Sequence, residues 1–470
     1  MDDQLVLDPA LTQQDRVVLK SLARDVHLRR AASAGSPNDD QPAAAAGEAV
    51  SRSTSAEKLQ ADCTPTTRSA TIKAQDARPD AAVTHDELRD VAKLKAMRDP
   101  SHADFKPTVI LSTDDIDNLF PPFIANTIIH PVARAAGRIA RHETDAVMVL
   151  HLFLYLATSI PSAVLLYRHF SYLHGVGHVI MQFYYVGTYT LMMHQHIHQR
   201  GILSKKYAII DKIFPYITDP LMGHTWNTYY YHHVKHHHVE GNGPEDLSTT
   251  IRYQRDSVVD LLRYVGRFYF LIWLDLPLYF IRKRRAGMAL RSAGWEFLTY
   301  AFYTTMAVMF GFKATMFVYV VPLLILRLGL MIGNWGQHAF VDPDEPDSDF
   351  RSSITLIDVA SNRFCFNDGY HTSHHLNPMR HWRDHPISFL EQKHTYAKEG
   401  ALVFHNIDFL MITARLMMKD YDHLAKCLVP MGSQIDLTMQ GRVDLLKKLT
   451  RKFSDVDIRR TFEKPTEPTQ

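Results

Sequence analysis

The sequence predicts an all-α integral membrane protein in which four transmembrane helices, paired as two hairpins, lie beneath a cytosolic helical cap. Three observations lead to this prediction. Four apolar stretches each approach the length of about 20 residues that a helix needs to cross a bilayer. Basic residues collect at the outer ends of both hairpins. Twelve of the 27 histidines fall in four short clusters beside these same ends.

The first hairpin is predicted at residues 146–167 and 172–193, two apolar stretches separated only by the tetrapeptide RHFS. Arginines and lysines collect at 134–141 before this hairpin and at 200–206 after it. Because loops rich in such residues stay in the cytosol, both outer ends of the hairpin are predicted to be cytosolic.

The second hairpin is predicted at residues 293–312 and 313–333, and the basic sequence RKRR at 282–285 places its outer ends in the cytosol as well. Residues 258–281 are also long enough to span the bilayer, but they contain four charged residues. If this segment crossed, the histidine clusters on the two sides of the second hairpin would face opposite compartments. We therefore predict an interfacial helix at 258–281.

Composition divides the rest of the chain. Residues 1–84 are predicted to be a disordered tail, because most of this segment is rich in Ala, Ser, Thr, Pro and charge and has few large apolar side chains. Residues 85–145 are predicted to be amphipathic and to lie at the membrane surface. A membrane domain with the histidine clusters is predicted at 146–385, and a cytosolic helical region at 386–470. Both termini are then cytosolic, and the acidic start predicts neither a secretory signal nor a transit peptide.

The charge balance and the cysteines exclude several classes of protein. The 52 Lys and Arg residues offset 50 Asp and Glu residues, so no global charge favours nucleic acid as a partner. Cys63, Cys365 and Cys427 form no CxxC motif, which argues against a zinc ribbon, thioredoxin chemistry or a disulfide scaffold. Any metal must therefore be bound by other residues.

The four histidine clusters are HQHIH at 194–198, HHVKHHH at 232–238, NWGQH at 334–338 and HTSHH at 371–375. Spacings of three and four place side chains on one face of a helix, and neutral imidazole is the commonest metal ligand. A single cluster could be a solvated helix end, but four clusters on one membrane face predict a metal site. Roughly eight to ten histidines exceed the ligands of one zinc ion, so two metal ions are predicted. Two such metals beside apolar helices fit oxygen activation on an aliphatic chain better than hydrolysis.

These motifs resemble the HxxxH, HxxHH or HxxxHH, and HxxHH boxes of the membrane fatty acid desaturase and hydroxylase superfamily, and NWGQH resembles the Asn-x-x-x-His element of desaturases. The resemblance covers about residues 146–385. It implies a mushroom-shaped fold of four transmembrane helices under a cytosolic cap. It also implies a non-haem di-iron centre that uses O2 and two electrons.

The resemblance also implies which residues bind the metals. The second box fits two frames, one with His233, His236 and His237, the other with His233, His237 and His238. Asn334 is expected to be a weak or water-mediated ligand. The histidines implied as ligands, counting both frames, are His194, His198, His233, His236, His237, His238, His338, His371, His374 and His375.

Several other polar residues lie near the boxes without matching a ligand position in them. Carboxylates beside the histidines could orient their ring N–H groups or could simply lie at surface turns. His196 and His232 are expected not to bind metal, and Arg327, inside the fourth predicted span, is expected to reach toward the cytosolic end. The carboxylates in question are Glu245, Asp246, Asp342 and Asp368.

The function implied by the resemblance is O2-dependent desaturation of a lipid acyl chain. A hydroxylase with the same centre, acting on a fatty acyl, sphingoid or carotenoid chain, is the nearest alternative. A divalent-metal transporter is a third, disfavoured because no repeated halves or midplane carboxylate pair are visible.

The electrons are expected to come from a separate carrier, because the chain has no HPGG haem-binding motif. Cytochrome b5 with its reductase is the expected partner in the endoplasmic reticulum, and ferredoxin in a plastid. The acidic N-terminus favours the endoplasmic reticulum.

Overall fold

The computed structural model describes residues 11–34, 83–109, 120–357, 359, 362 and 365–462, and these residues are mostly helical. The part of the predicted disordered tail at 35–82, with Cys63, lies outside the described residues. The longer helices are α1 Gln13–Ala34, α2 His85–Arg98, α3 His130–Ile139, α4 Ala146–Arg168, α5 Tyr172–Gln199, α6 Ala208–Leu221, α7 Val258–Arg282, α8 Ala286–Met309, α9 Val321–Gln337, α10 His371–Leu376, α11 His385–Glu391, α12 Lys393–Lys398, α13 Phe409–Met417, α14 Tyr421–Cys427, α15 Met439–Leu449 and α16 Asp455–Phe462.

Shorter elements connect these helices. Two strands, β1 Ile354–Ile357 and β2 Leu402–His405, pair in parallel. Stretches of π-helix are found at Ala125–Ile129, Tyr230–His237 and Met316–Val320. Single turns of α-helix are formed by Pro122–Ile124, His238–Glu240, Phe312–Thr315 and Asp349–Ser352, and 3-10 turns by Glu143–Asp145, Lys205–Tyr207, Trp382–Asp384 and Gly432–Asp436.

The helix α1 corrects the prediction of a disordered tail at residues 1–84. Val18 and Leu22 lie one turn apart on this helix and are buried in a core that also contains Tyr370 and Phe389. Burial of this apolar stripe offsets the conformational entropy that the segment loses when it folds. The low-complexity composition that predicted disorder belongs to the following residues, not to α1.

Three of the described helices are long and apolar enough to cross a membrane: Glu143–Arg168, Val258–Arg282 and Phe312–Gln337. The first and third correspond to the first and fourth predicted spans. The helix α5 covers the second predicted span, and α8 covers residues 293–309 of the third, which the helix leaves at Phe310. The four-span topology stays a prediction.

The helix α7, predicted to be interfacial, is thus also one that could span by length and composition. Its contacts with the second histidine cluster favour the interfacial position. Near its start, the Tyr264 hydroxyl donates to the carbonyl of Ser248 at 3.1 Å. Near its end, the ring of Tyr279 lies 4.4 Å from that of His236. The two halves of α7 therefore contact residues within 236–248, and the interfacial position of α7 stays a prediction.

The cap consists of α1, α2 and the residues from 339 onward, and it contains the two-stranded sheet that the all-α prediction missed. Ile354 of β1 pairs in register with Leu402 of β2. Leu356 and Phe404 are fully buried in the core beneath this sheet. Since β1 and β2 pair across residue 385, the predicted domain boundary at that residue does not separate two structural units.

Candidate metal centre

The imidazole side chains from the four clusters form two buried groups. Ring nitrogens of His194, His198, His233 and His374 all lie within 4.8 Å of one another. Ring nitrogens of His237, His338 and His375 meet the same criterion. Each group draws on at least three separate segments of the chain, so the folded protein creates sites that no single cluster could provide.

Two further histidines complete the groups. The Nε2 atom of His238 lies 2.9 Å from Nε2 of His374 and 3.1 Å from Nε2 of His233, in the first group. The Nε2 atom of His371 lies 3.2 Å from that of His338 and 3.1 Å from that of His375, in the second group. The first group therefore contains five imidazoles and the second contains four.

The first box lies at the end of α5, where His194 and His198 are one helical turn apart. The helix ends directly after them, because Arg200 adopts a φ of 60° and Gly201 a φ of 122°. A side chain at Gly201 would collide with the carboxylate of Asp211, so this turn requires glycine. The turn ends the helix just past these two histidines.

The second box lies on the π-helix Tyr230–His237 and the turn that follows it. A π-helix bonds each residue to the one five positions on, so it places residues five apart on one face. His233 and His238 have this spacing, and their Nε2 atoms are 3.1 Å apart. His237 points to the second group instead. The π-helix thus brings His233, His237 and His238 into the two groups.

The last two elements come from α9 and α10. His338 directly follows α9, and its side chain is fully buried. On α10, His371 and His375 are one turn apart and both belong to the second group. His374 projects from the same short helix toward the first group, with its Nε2 atom 2.9 Å from Nε2 of His194.

Hydrogen bonds to the Nδ1 atoms hold several of these rings. The Nδ1 atom of His237 lies 2.7 Å from Asp246 Oδ2, and that of His338 lies 2.7 Å from the carbonyl oxygen of Ser352. His194 Nδ1 lies 3.2 Å from the Tyr229 hydroxyl. Such contacts fix the ring orientation and the tautomer, leaving Nε2 free to bind metal.

Electrostatics affect both the imidazoles and Asp246. Burial lowers the pKa of His198 to about 3, so its ring is uncharged at neutral pH and one of its two nitrogens carries no proton. Burial alone would raise the pKa of Asp246, but the rings of His237 and His236 and the hydroxyl of Ser248 hold it far below the usual range. A buried carboxylate beside a group of imidazoles favours the binding of cations.

The donor set fits metal ions. Each neutral imidazole has only one N–H donor, and where Nδ1 uses it the Nε2 atom is an acceptor without a proton. Several Nε2 atoms nevertheless face each other at 2.9–3.2 Å, and the buried Nε2 of His198 has no hydrogen-bond partner among the described residues. A cation in each group would satisfy these lone pairs. The buried clusters are therefore compatible with a non-haem iron site.

Two residues that were predicted as ligands are not brought into either group. The Nε2 atom of His236 accepts a hydrogen bond from the Leu247 amide at 3.1 Å, and its ring packs on that of Tyr279. The geometry therefore places His236 outside both groups, and its part as a ligand stays untested. The amide nitrogen of Asn334 donates to the Ser248 carbonyl at 3.0 Å and to the Tyr264 hydroxyl at 2.7 Å. Its part as a weak or water-mediated ligand stays a prediction.

His196 and His232, expected not to bind metal, also lie outside both groups. The Nε2 atom of His196 lies 3.1 Å from the Asp211 carbonyl oxygen, and the ring of His232 packs on that of Phe268. Membership of a histidine cluster in the sequence therefore does not by itself place a ring in either group.

The four carboxylates considered from sequence differ in what they contact. Asp246 holds His237, as described above. Glu245 pairs with Lys283, and Asp342 lies 3.3 Å from Arg351. Burial raises the pKa of Asp368 to about 7, and this residue lines the apolar cavity beside the histidines.

Sequence reasoning missed three groups that hold the histidines: the Tyr229 hydroxyl, the Ser352 carbonyl and Asp349, whose Oδ1 lies 3.6 Å from His375 Nδ1. Tyr229 precedes His233 by four residues, and this spacing could have indicated it. A backbone carbonyl such as that of Ser352 has no signal in the sequence.

A cavity of about 520 Å³ opens beside the histidines. His194, His233, His237 and His371 line one part of it. Most of its remaining wall is apolar and comes from α5, α7 and α9. Examples are Phe183, Val186, Ile272, Leu276, Leu326 and Leu330.

A buried histidine centre beside an apolar cavity and membrane-length helices is the arrangement of a metal-dependent membrane enzyme. The family described as fatty acid desaturase matches residues 170–406, that is 237 of the 470 residues, and the chain belongs to this family. It is therefore an oxidoreductase of the membrane fatty acid desaturase and hydroxylase superfamily. No curated protein and no solved structure matches the chain.

Proposed function

We propose that the protein catalyses the O2-dependent desaturation of a lipid acyl chain at a di-iron centre. The observation that carries this proposal is the pair of adjacent histidine groups, five imidazoles and four, beside an apolar cavity. Nine nitrogen donors suit two metal ions, and imidazole is a good ligand for iron. The ligands that we propose are the nine histidines of the two groups.

The reaction converts two neighbouring methylenes into a double bond. One O2, two electrons from a carrier and two protons are consumed, and the two hydrogens removed from the lipid leave in the two water molecules formed. Iron bound by the histidines would supply the activation of O2 that this oxidation needs. The protein supplies binding, orientation and a dry site.

The chain's own side chains can perform those three tasks. Apolar residues such as Leu276 and Leu326 line a cavity wide enough to bind a methylene chain beside the histidines. The contacts of Asp246 with His237 and of Ser352 with His338 hold the ligand rings in place. Eight of the nine imidazoles are buried, which limits the access of water to the reacting carbon atoms.

The electron source and the cellular location follow from the same proposal. We propose that cytochrome b5 and its reductase, or ferredoxin, deliver the electrons from outside the chain. We further propose that the protein crosses the endoplasmic reticulum membrane four times, with the histidine groups and both termini in the cytosol and α7 at the interface.

The test is mass spectrometry of total lipids from yeast that expresses the chain, compared with a strain expressing His374→Ala. His374 is the sharpest choice because its Nε2 lies 2.9 Å from both His194 and His238. His196→Ala is the matched control, since His196 lies outside both groups.

We expect a lipid lacking two hydrogens in the wild-type and control strains only. A lipid that gains one oxygen atom would assign hydroxylation to the same centre. Unchanged lipids, from protein shown to be folded and loaded with iron, would contradict both activities.

A further inference from the structure

An ion pair between α8 and α9 lies in the wall of the acyl cavity, away from the histidines. The Nη2 atom of Arg327 donates to Glu296 Oε1, and the hydroxyl of Tyr300 donates to the same oxygen. The side chains of Arg327 and Glu296 are only 12% and 5% exposed. Both residues line the cavity.

The pair lies deep in the membrane region. Glu296 is ten positions after Ala286, the first residue of α8, and Arg327 is eleven positions before His338. At 1.5 Å per residue, Glu296 lies about 15 Å from the start of α8, and Arg327 lies about 16 Å from His338. Half of a hydrocarbon core of about 30 Å is a similar distance. Arg327 thus pairs with Glu296 well inside the Phe312–Gln337 segment, and its expected reach toward the cytosolic end stays a prediction.

Helix geometry places the pair at a defined distance from the metal centre. Arg327 and Asn334 are seven residues apart on α9, so they lie on nearly the same face and about 10 Å apart along its axis. Asn334 lines the cavity next to the histidine groups, and Arg327 lines it two turns further in. A lipid chain that reaches the histidines through this cavity can therefore also reach the pair.

A buried ion pair contributes little net free energy to the packing of two helices. Desolvation of both charges offsets most of their attraction, and apolar side chains of similar size would pack the helices as well or better. Ionisable residues within a membrane usually face an internal site and serve a function there. The position of this pair in the cavity wall is what that rule predicts.

The pair still has hydrogen-bonding capacity to offer. A guanidinium has five N–H donors and a carboxylate has two acceptor oxygens. Among the described residues, the contacts with Tyr300 and between the partners use Glu296 Oε1 and leave Oε2 and part of the guanidinium without a partner. A donor and an acceptor thus lie side by side in an otherwise apolar wall.

We infer that Glu296 and Arg327 form a binding site for an uncharged hydroxyl group on the lipid chain, about 10 Å along α9 from Asn334. A hydroxyl both donates and accepts, so it complements the free acceptor and donors of the pair. A carboxylate or phosphate would meet the negative charge of Glu296, whereas a plain methylene would leave the polar groups unpaired. This inference rests on the proposed function and names a substrate class for it: lipids with a hydroxylated chain.

The experiment feeds yeast expressing the full chain with saturated fatty acids of one length. One acid is unsubstituted, and the others have a single hydroxyl at successive positions. Mass spectrometry measures the fraction of each acid that is converted. The apolar double variant Glu296→Met with Arg327→Met is compared with the reversed pair Glu296→Arg with Arg327→Glu. Tyr303→Phe is the matched control, a buried tyrosine of α8 that does not line the cavity.

We expect the wild type and Tyr303→Phe to convert one or two of the hydroxylated acids at least about tenfold better than the unsubstituted acid. The apolar variant should lose this preference, whereas the reversed pair still presents a donor beside an acceptor and should keep it. Conversion of the unsubstituted acid without any preference in the wild type would overturn this inference alone. A preference kept in the apolar variant would show that the pair only joins the helices, and would overturn the inference too. Failure of the wild type to convert any acid would overturn the proposed function with it.

Discussion

The carboxylate of Asp246 lies 2.7 Å from Nδ1 of His237, and both side chains are buried. The same carboxylate accepts hydrogen bonds from the amide and the hydroxyl of Ser248. Asp246 is therefore fixed by the loop that follows the second histidine box, and it in turn fixes the ring. A negative charge at this point also makes the imidazole a better ligand.

Exchange of Asp246 for Asn should weaken metal binding without removing a ligand. Loss of such a supporting contact typically costs 10–100-fold in metal affinity or activity, and we expect a reduction in that range. Iron per chain and the yield of oxidised lipid measure it. Glu245→Gln is the matched control, since Glu245 is more than half exposed and pairs with Lys283 at the surface. Equal iron content in both variants would contradict this prediction.

The two frames of the second box can be separated by a pair of alanine variants. His238→Ala should lose most of its iron and its activity, because His238 Nε2 lies among the ring nitrogens of the first group. His236→Ala should keep bound iron, because its ring faces Tyr279 and the Leu247 amide. Metal analysis of the two purified variants makes the comparison, and the reverse order of iron content would restore the other frame.

The sequence could predict which histidines gather but not which frame they adopt. Spacing on an α-helix treats His236 and His238 as equivalent candidates. The difference comes from the π-helix Tyr230–His237, which depends on tertiary contacts and has no sequence signature. Similarly, the contact of His338 with the carbonyl of Ser352 depends on how the backbone folds after α9.

Hydropathy located the long helices of the fold but not its smaller elements. The four predicted spans each fall on helix, since apolar length is a strong signal. The helix α1 was missed because its short apolar stripe precedes a long segment of low complexity. The strands β1 and β2 have four residues each and are buried on both faces, so their sequences lack the alternation that identifies strands.

The N-terminal helix supports the third histidine box, and Asp15 is the residue through which it does so. Its two carboxylate oxygens accept from the Tyr370 hydroxyl at 2.6 Å and from the Asn362 amide at 3.1 Å. Tyr370 directly precedes His371. Asp15→Ala would leave these buried donors unpaired, at a cost of about 1–3 kcal/mol.

We therefore expect Asp15→Ala to lower the melting temperature of the purified protein and its iron content together. Lys20→Ala on the exposed face of the same helix is the control and should change neither. A variant as stable and as iron-rich as the control would show that α1 does not support the centre.

Asp219, at the end of α6, should make stability depend on pH. It is buried and accepts a hydrogen bond from the Tyr189 hydroxyl at 2.6 Å. Burial raises its pKa to about 7, whereas an unfolded Asp titrates near 3.9. Between about pH 4 and 7 the unfolded chain has released this proton while the folded protein retains it. Stability therefore falls as pH rises through that window, by up to about 1.4 kcal/mol per pH unit, and levels off above the folded pKa.

Exchange of Asp219 for Asn should remove this loss, because Asn is uncharged at every pH and can still accept from Tyr189. We expect the melting temperature of the variant to exceed that of the wild type by an amount that grows from about pH 4 to 7 and is constant above. Thermal unfolding in detergent across this range measures the difference. Asp422→Asn, at an exposed position of the cap, controls for the loss of a carboxylate as such. A difference that does not change with pH would mean that Asp219 is ionised in the folded protein throughout, and that the Tyr189 hydroxyl and its neighbours stabilise a buried charge.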